Sequence, residues 1–483
     1  MIGIIGIIVA LALLMYLAYR GISVLILAPV MALVAVLFAG GMPVLASYTQ
    51  VFMTAAGDFI VLYFPLFLLG AIFGRLMDDS GSAGSIARWS VTRLGKGRSI
   101  LAVVLSCAVL TYGGVSLFVV AFAIYPVAAA LFRENDIPKR LIPGSIALGA
   151  FTFTMTALPG TPAIQNAIPM PFFGTTPFAA PILGIISALV MFTLGMLWLN
   201  RRSRAAMRAG EGYGDHRETE PKADRVLREH AEGEGFDIME LNERPSPAGM
   251  PGFPAAVLPI VLVIGLNYLF SMVIIPAMDT GYLALPLYGE TDIDALRGIW
   301  SIIAALVISI LVLTIINRKR FSAFLESLDA GADASVLPIF NTASLVGFGA
   351  VIASLAAFEV IKSGIMSIGV GNPLISLAIS VNVLAGITGS ASGGMSIALS
   401  TLGADYVRMA REAGISLELM HRVTTVATGG LDSLPHNGAI ITLLSICRLT
   451  HREAYMDILM VAVLAPIVSL VVLVTLGTLL GSF

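Results

Sequence analysis

Apolar runs of about 20 residues, the length an α-helix needs to cross ~30 Å of hydrocarbon, follow one another through almost the whole chain. They are continuous rather than alternating, so they do not read as the strands of an outer-membrane barrel. A soluble globule could not hide them either. Of 58 charged residues, 20 lie between Arg201 and Arg244, and the other 439 positions carry only 38. The expected fold class is therefore an all-α polytopic membrane protein. The first run, Ile2 to Tyr19, lacks a basic n-region and an A-x-A site and reads as a retained span.

Spans are expected at about 2–19, 22–39, 58–77, 141–168, 179–199, 253–275, 298–316, 335–361, 420–447 and 455–480. Two further apolar segments, 99–132 and 372–402, are too long for one comfortable crossing. A glycine cluster interrupts each: Thr111-Tyr112-Gly113-Gly114-Val115-Ser116 in the first, Thr388-Gly389-Ser390-Ala391-Ser392-Gly393-Gly394 in the second. Glycine is a poor helix former and an easy turn former, so each segment fits either a kinked helix or two half-helices. Charge favours the hairpin. Arg88, Arg93, Lys96 and Arg98 precede the first segment and Arg133, Lys139 and Arg140 follow it, and short basic loops stay in the cytoplasm. The resulting topology has ten crossings and two re-entrant hairpins, with both termini outside. It puts 23 of the 28 basic residues on the cytoplasmic side and places Arg408, Arg411 and Arg422 outside.

The two halves share a signature. Leu158-Pro159 precedes Ala163-Ile164, and Leu434-Pro435 precedes Ala439-Ile440, an offset of 276 residues that also carries Gly113 onto Gly389 and Ser116 onto Ser392. Five crossings per half is odd, so the second copy is expected upside down. Inverted repeats with broken helices are a hallmark of secondary transporters. The expected organisation is a first repeat over 1–199, with hairpin 99–132 and broken helix 141–168. A charged linker covers 200–251. A second repeat covers 252–483, with hairpin 372–402 and broken helix 420–447. The linker has few large apolar residues and cannot build a core.

Pro159 and Pro162 break the first of these helices, and Pro435 with Gly438 the second. Backbone freed in hydrocarbon is tolerated only where it is buried in protein or lines a polar cavity. The breaks also gather polar side chains. Thr161, Gln165 and Asn166 lie in one and Asp432, Ser433, His436 and Asn437 in the other. Half-helix N-termini suit an anion, so a small carboxylate is expected at the hairpin tips. The expected substrate-binding residues are Thr111, Tyr112, Gly113, Gly114, Ser116, Thr161, Gln165, Asn166, Ser390, Ser392, Gly393 and Asn437. Ionisable groups at membrane depth are costly and functional, which makes Asp432 and His436 the candidates for proton coupling. Asp432 also fits a cap for the half-helix after Pro435.

Other classes fall away. A net charge of −2 gives no electrostatic footprint for nucleic acid, and Cys107 and Cys447 form no metal pattern. No phosphate loop is present, so the chain by itself is no ATP-driven pump, and no cofactor is implied. A hydrolase built on Ser433, His436 and Asp432 would need three residues within five positions of a broken helix to align, so no enzyme activity is expected.

The stretches Leu110–Pro126, Ala157–Pro169 and Gly429–Leu444 resemble the GntP family of gluconate and hydroxy-acid permeases, in the ion-transporter superfamily. The resemblance implies an inverted-repeat fold, a homodimeric scaffold and elevator-like movement of the hairpin-bearing domain. It implies proton-coupled uptake of organic anions across the bilayer of a bacterial inner membrane. Gluconate-type members carry an acidic residue where this chain has Thr111-Tyr112-Gly113-Gly114. The pattern Tyr112–Phe118 is similar to members assigned to D-3-hydroxybutyrate, which is the substrate this resemblance favours, with gluconate or another small anion, anion exchange or sodium coupling as alternatives.

Overall fold

The computed structural model describes residues 2–20, 22–94, 96–214, 249–368 and 371–482. Most of the charged linker, 215–248, lies outside them. The described residues form helices and turns with no strand among them. Seven helices are long and apolar enough to cross a membrane, and shorter apolar helices pair up between them. In chain order, α1 is Ile2–Tyr19, α2 Val24–Ala39, α3 Val44–Asp79 and α4 Ser82–Leu94. Helices α5, Ser99–Tyr112, and α6, Leu117–Glu134, follow. The first broken segment is α7, Leu141–Ala150, α8, Phe153–Thr156, α9, Ile164–Ala167, and α10, Pro169–Phe173; α11 is Pro181–Arg208. After the linker come α12, Phe253–Ala277, α13, Ile293–Asn317, α14, Phe324–Ser354, and α15, Phe358–Met366. The chain ends with α16, Pro373–Thr388, α17, Ala391–Glu412, α18, Leu417–Thr428, α19, Gly438–Cys447, and α20, His451–Leu480.

Both glycine clusters are turns between paired helices. Helix α5 turns into α6 at Gly113–Gly114, and α16 into α17 at Gly389–Ser390. Gly114 (φ +94°) and Gly389 (φ +64°) occupy left-handed backbone that favours glycine, which is why the helices stop there. Packing repeats as well. Helix α5 packs on α7 as α16 packs on α18, and α6 on α7 as α17 on α18. The restart helix of each break crosses to the other half: α9 packs on α17, and α19 packs on α6. The long helices α3 and α14 pack along each other, and both contain a Pro-Leu/Ile-Phe run, Pro65–Phe67 and Pro338–Phe340.

Helix α20 serves as a ruler. At its N-terminal end Asp457, almost fully buried, accepts from Arg140 (3.0 Å), Arg202 (3.0 Å) and Trp198 (2.9 Å). Arg140 also grips Glu211 at 2.7 and 2.9 Å, which holds the Glu211 carboxyl below its ordinary range. Arg133 lies over the Tyr213 ring, so the base of the first hairpin is at this end. At the far end Thr478 accepts from Asn372, the first residue before α16. Asp457 and Thr478 are 21 residues apart, about 32 Å of helix. The bases of the two hairpins thus sit at opposite ends of one helix.

Two expectations need correction. Arg422, expected at the outer side of the 420–447 segment, is not exposed there: it lies in α18 and is fully buried, because the helix starts after Ser416 and carries it inward. Asp432 does not cap the restarting half-helix. Asn437 does, its Oδ1 accepting from Ala439 (2.6 Å) and Ile440 (3.1 Å), because it stands directly before the first turn.

The Asp457 cluster yields a stability test. Asp457→Ala takes the carboxylate from Arg202 and one of the two from Arg140, which keeps Glu211; losing a partner costs about 3–5 kcal/mol for fully buried pairs and less here because both arginines are part exposed. A loss of about 2 kcal/mol, read as a lower midpoint in thermal unfolding of the detergent-solubilised protein, is expected. An unchanged midpoint would show that the cluster does not hold α7, α11 and α20 together.

Candidate functional site

Tips and breaks close on one another within each half. Tyr112 donates to the Pro159 carbonyl at 2.7 Å, and a Cβ on Gly114 would stand 2.8 Å from Pro162 Cγ. In the second half Asn437 Nδ2 donates to Gly389 O at 2.7 Å, and His436 Nε2 to Gly386 O at 3.0 Å. These bonds answer carbonyls that the glycines and prolines leave without helical partners.

Between them is a cavity of about 180 Å³. Its walls are one face of α3 (Phe67, Gly70, Ala71, Gly74, Arg75, Asp78), the first tip, the first break and α14 (Ser335, Pro338, Thr342), with Ser392 from the second tip. A smaller lobe of about 30 Å³ adjoins it, sharing Leu117, Met155 and Gln165 and adding Thr156, Asp432, Ser433 and Asn437. Both breaks and both tips therefore meet at one chamber.

Thr111, Gly114, Ser116, Gln165 and Ser392 line the larger lobe, and Gln165, Asp432 and Asn437 the smaller. Thr111 Oγ1 and Gln165 Oε1 are buried without a hydrogen-bond partner, a costly state that a polar ligand would relieve. Tyr112, Gly113, Thr161, Asn166, Ser390, Gly393 and His436 form no part of either wall. Gly113 packs toward Ile260 and Gly393 toward Leu345. Thr161 Oγ1 accepts from Ala163, and Asn166 Nδ2 donates to Thr161 O and Pro177 O, both at 3.0 Å.

The tips differ in a way the sequence does not show. At the second, Ser390 Oγ accepts from Gly393 N at 3.2 Å and caps α17. At the first, Ser116 makes no such bond, and the opening turn of α6 (Ser116 to Val119) faces the larger lobe. The first turn of α6 thus meets the larger lobe without a side-chain cap, whereas α17, whose Ser392 also lines that lobe, has its Gly393 amide taken by Ser390. Asp432 lies at the other lobe, its Oδ1 accepting from Gly430 N (2.8 Å) and Ser433 Oγ (3.2 Å).

His421 and Arg422 of α18 were not anticipated as site residues. Asn166 Oδ1 is the acceptor of its amide, so His421 Nε2 donates to it at 3.2 Å, and Nδ1 shares a hydrogen bond of 2.6 Å with the Thr175 hydroxyl. Arg422 donates to Ala179 O (2.7 and 3.0 Å), Pro177 O (3.5 Å), Thr156 O (3.4 Å) and Asn166 Oδ1 (3.4 Å). No group of His, Cys, Asp or Glu among the described residues could hold a metal ion.

No family model matches the chain. Solved transporter structures share its fold. The YdaH transporter of Alcanivorax borkumensis is 16% identical with a TM-score of 0.54, covering 89% of this chain and 88% of its own. MtrF of Neisseria gonorrhoeae, described with a class of antimetabolite efflux pumps, is 13% identical with a TM-score of 0.53, covering 88% and 83%. In sequence, the chain is 45% identical over 457 residues, 94% of each chain, to YxjC of Bacillus subtilis, an uncharacterized transporter. A membrane-spanning helical fold, a chamber at the meeting of two broken helices and a relation this extensive agree: the chain belongs to the transporter family that includes YxjC.

Proposed function

We propose that this transporter is a secondary active symporter that takes up a small hydroxy-carboxylate together with protons, D-3-hydroxybutyrate first and gluconate second. The observation that carries the reading is the chamber itself. Tips and breaks from both halves line it, and it holds two buried polar atoms without partners beside an uncapped helix N-terminus. The carboxylate belongs at the first turn of α6, with Ser116 and Thr111, and the hydroxyl at Gln165. Leu66, Phe67, Ala71 and Pro338 supply apolar surface that suits a short carbon chain better than a polyol. Asp432, in the adjoining lobe, is the proton carrier. His436, bonded to the second hairpin at Gly386, positions that hairpin over the break.

The opposed hairpin bases and the repeated packing of α5–α7 and α16–α18 support an inverted repeat, with 1–199 and 252–483 as its copies. An elevator movement of the hairpin-bearing helices against α3 and α14 follows from the resemblance to the GntP family. A homodimer in a bacterial inner membrane is part of the same reading.

In proteoliposomes, an inward pH gradient alone should drive uptake of D-3-hydroxybutyrate. Uptake indifferent to that gradient would replace symport by exchange or passive flow. Asp432→Asn should lower gradient-driven uptake about tenfold or more while sparing substrate counterflow; equal loss of both would move Asp432 from coupling to folding. The two tip serines should separate. Ser116→Ala should raise Km about fivefold, the loss of one hydrogen bond of about 1 kcal/mol. Ser390→Ala should leave Km alone and cost about 1 kcal/mol of stability through the lost cap. A Km that responds equally to both would contradict the asymmetry of the tips.

A further inference from the structure

Helix α3 meets the larger lobe with one continuous face. Phe67, Gly70, Ala71, Gly74, Arg75 and Asp78 all line it, at the three- and four-residue steps that make neighbours on a helix surface. The face is divided by chemistry. Its last turn is charged, with Arg75 paired to Asp79 at 2.7 Å and Asp78 holding a partner of its own. Its earlier turns carry Phe67, Gly70 and Ala71 and no polar side chain.

Gly70 and Gly74 stand four residues apart, a spacing that in membrane helices ordinarily lets a neighbour approach closely. Gly74 serves that end. A Cβ there would lie 3.6 Å from Ser116 N and 3.8 Å from Val115 Cα, in contact with the first tip. Gly70 does not. A Cβ there would have no atom within 4 Å, although the position is on the cavity wall. The close approach of α3 to α14 is made elsewhere, at Gly331, where a Cβ would come within 2.9 Å of Ile72 Cα. Glycine weakens a helix interior relative to alanine, and at residue 70 no packing neighbour accounts for it. What its missing side chain leaves is cavity.

That cavity carries an independent mark of a ligand. Thr111 and Gln165 are 2% and 8% exposed, both line this lobe, and Thr111 Oγ1 and Gln165 Oε1 have no hydrogen-bond partner. The opening turn of α6 fixes the ligand's direction. Ser116 N is beside Gly74, so a carboxylate held there is level with Gly74 on α3. Gly70 is one turn back, about 6 Å along the helix and away from Arg75 and Asp78.

We propose that Gly70 is a specificity-determining residue: the open space over it takes the distal carbons of the substrate, so that this position sets how long a 3-hydroxy acid is accepted, and acids longer than four carbons are substrates. The inference rests on the hydroxy-carboxylate reading and adds which members of that class fit. Every 3-hydroxy acid presents the same polar end to the first tip and Gln165, and only the apolar tail differs. Around Gly70 the tail meets Phe67, Ala71 and Pro338, where each added carbon is removed from water. Those side chains offer the hydroxyls of a polyol no partner.

The test measures uptake of D-3-hydroxybutyrate and D-3-hydroxyhexanoate into proteoliposomes by the full-length wild type, Gly70→Ala, Gly70→Leu and Gly57→Leu. Gly57 is the control: it too is on α3 with open space at its Cβ position, but it lines neither lobe. The wild type should take up both acids. Gly70→Ala should raise Km for the six-carbon acid about tenfold and that for the four-carbon acid less than about threefold, the scale of one methylene in an apolar pocket. Its thermal midpoint should be at or above that of the wild type, since alanine is the better helix former. Gly70→Leu should abolish uptake of the six-carbon acid, and Gly57→Leu should change neither. A wild type confined to the four-carbon acid would overturn the proposal, as would equal Km changes for both acids. So would a fall in Vmax at constant Km, which would make Gly70 a gliding surface for the first tip, or a Gly70→Ala protein that fails to fold, which would show that the space was not free. A folded wild type that takes up neither acid would instead refute the substrate reading, and this inference with it.

Discussion

Interrupting a helix inside hydrocarbon frees N–H and C=O groups that cost several kcal/mol each if unanswered, and the architecture around the chamber follows from that cost. Each half meets it in a related way. Thr161 and Asn437, equivalent under the 276-residue offset, accept from the backbone two residues on, at 3.3 and 2.6 Å, and start the chain back into helix. The carbonyls exposed by the breaks and tips are taken by side chains brought from the other element: Tyr112 for Pro159, Asn437 for Gly389, His436 for Gly386. A tip and its break are therefore one hydrogen-bonded unit. Moving one without the other would leave buried backbone polar groups without partners.

The same constraint sorts the polar residues of the breaks. Asn166 and Thr161 have their polar atoms engaged by backbone or by α18, and Asn437, though it faces the smaller lobe, uses both ends of its amide. Few groups remain for a ligand, and those that do are the ones on the cavity wall: Thr111, Ser116, Gln165, Ser392 and Asp432. A membrane site gathers more polar residues than it uses for recognition, because the opening that admits a substrate must itself be held together by hydrogen bonds.

Much of this was legible from residue order alone. The glycine clusters marked real turns because a left-handed residue was needed at Gly114 and Gly389, and the prolines marked real breaks. Charge counting read the common end shared by Arg140 and Arg202. It misread Arg422, because a rule built on loops treats every arginine as solvated. The corrective signal was local. Ser416 is a good N-cap, Glu418 suits a first turn, and Val423, Val426 and Ala427 continue an apolar face, so the helix starts before residue 420 and carries Arg422 inward. The choice between Asp432 and Asn437 as cap was not legible, since both residue types cap well and only the backbone path after Pro435 decides. The Pro-Leu/Ile-Phe runs of α3 and α14 were readable as a further trace of internal similarity.

The difference between the tips was beyond sequence, and it bears on the chemistry most directly. Ser116 and Ser392 are equivalent under the repeat offset and both line the cavity, yet α6 opens onto it uncapped while α17 is closed by Ser390. Two symmetric tips would hold an anion equally at either end of the chamber, and neither position would be near Asp432 by preference. With the first turn of α6 uncapped by a side chain and Gly393 N taken by Ser390 at the other tip, a negative group is drawn to the first tip, and the Asp432 carboxyl is left across Gln165 in the other lobe. Like charges are thereby kept in separate lobes of one small chamber.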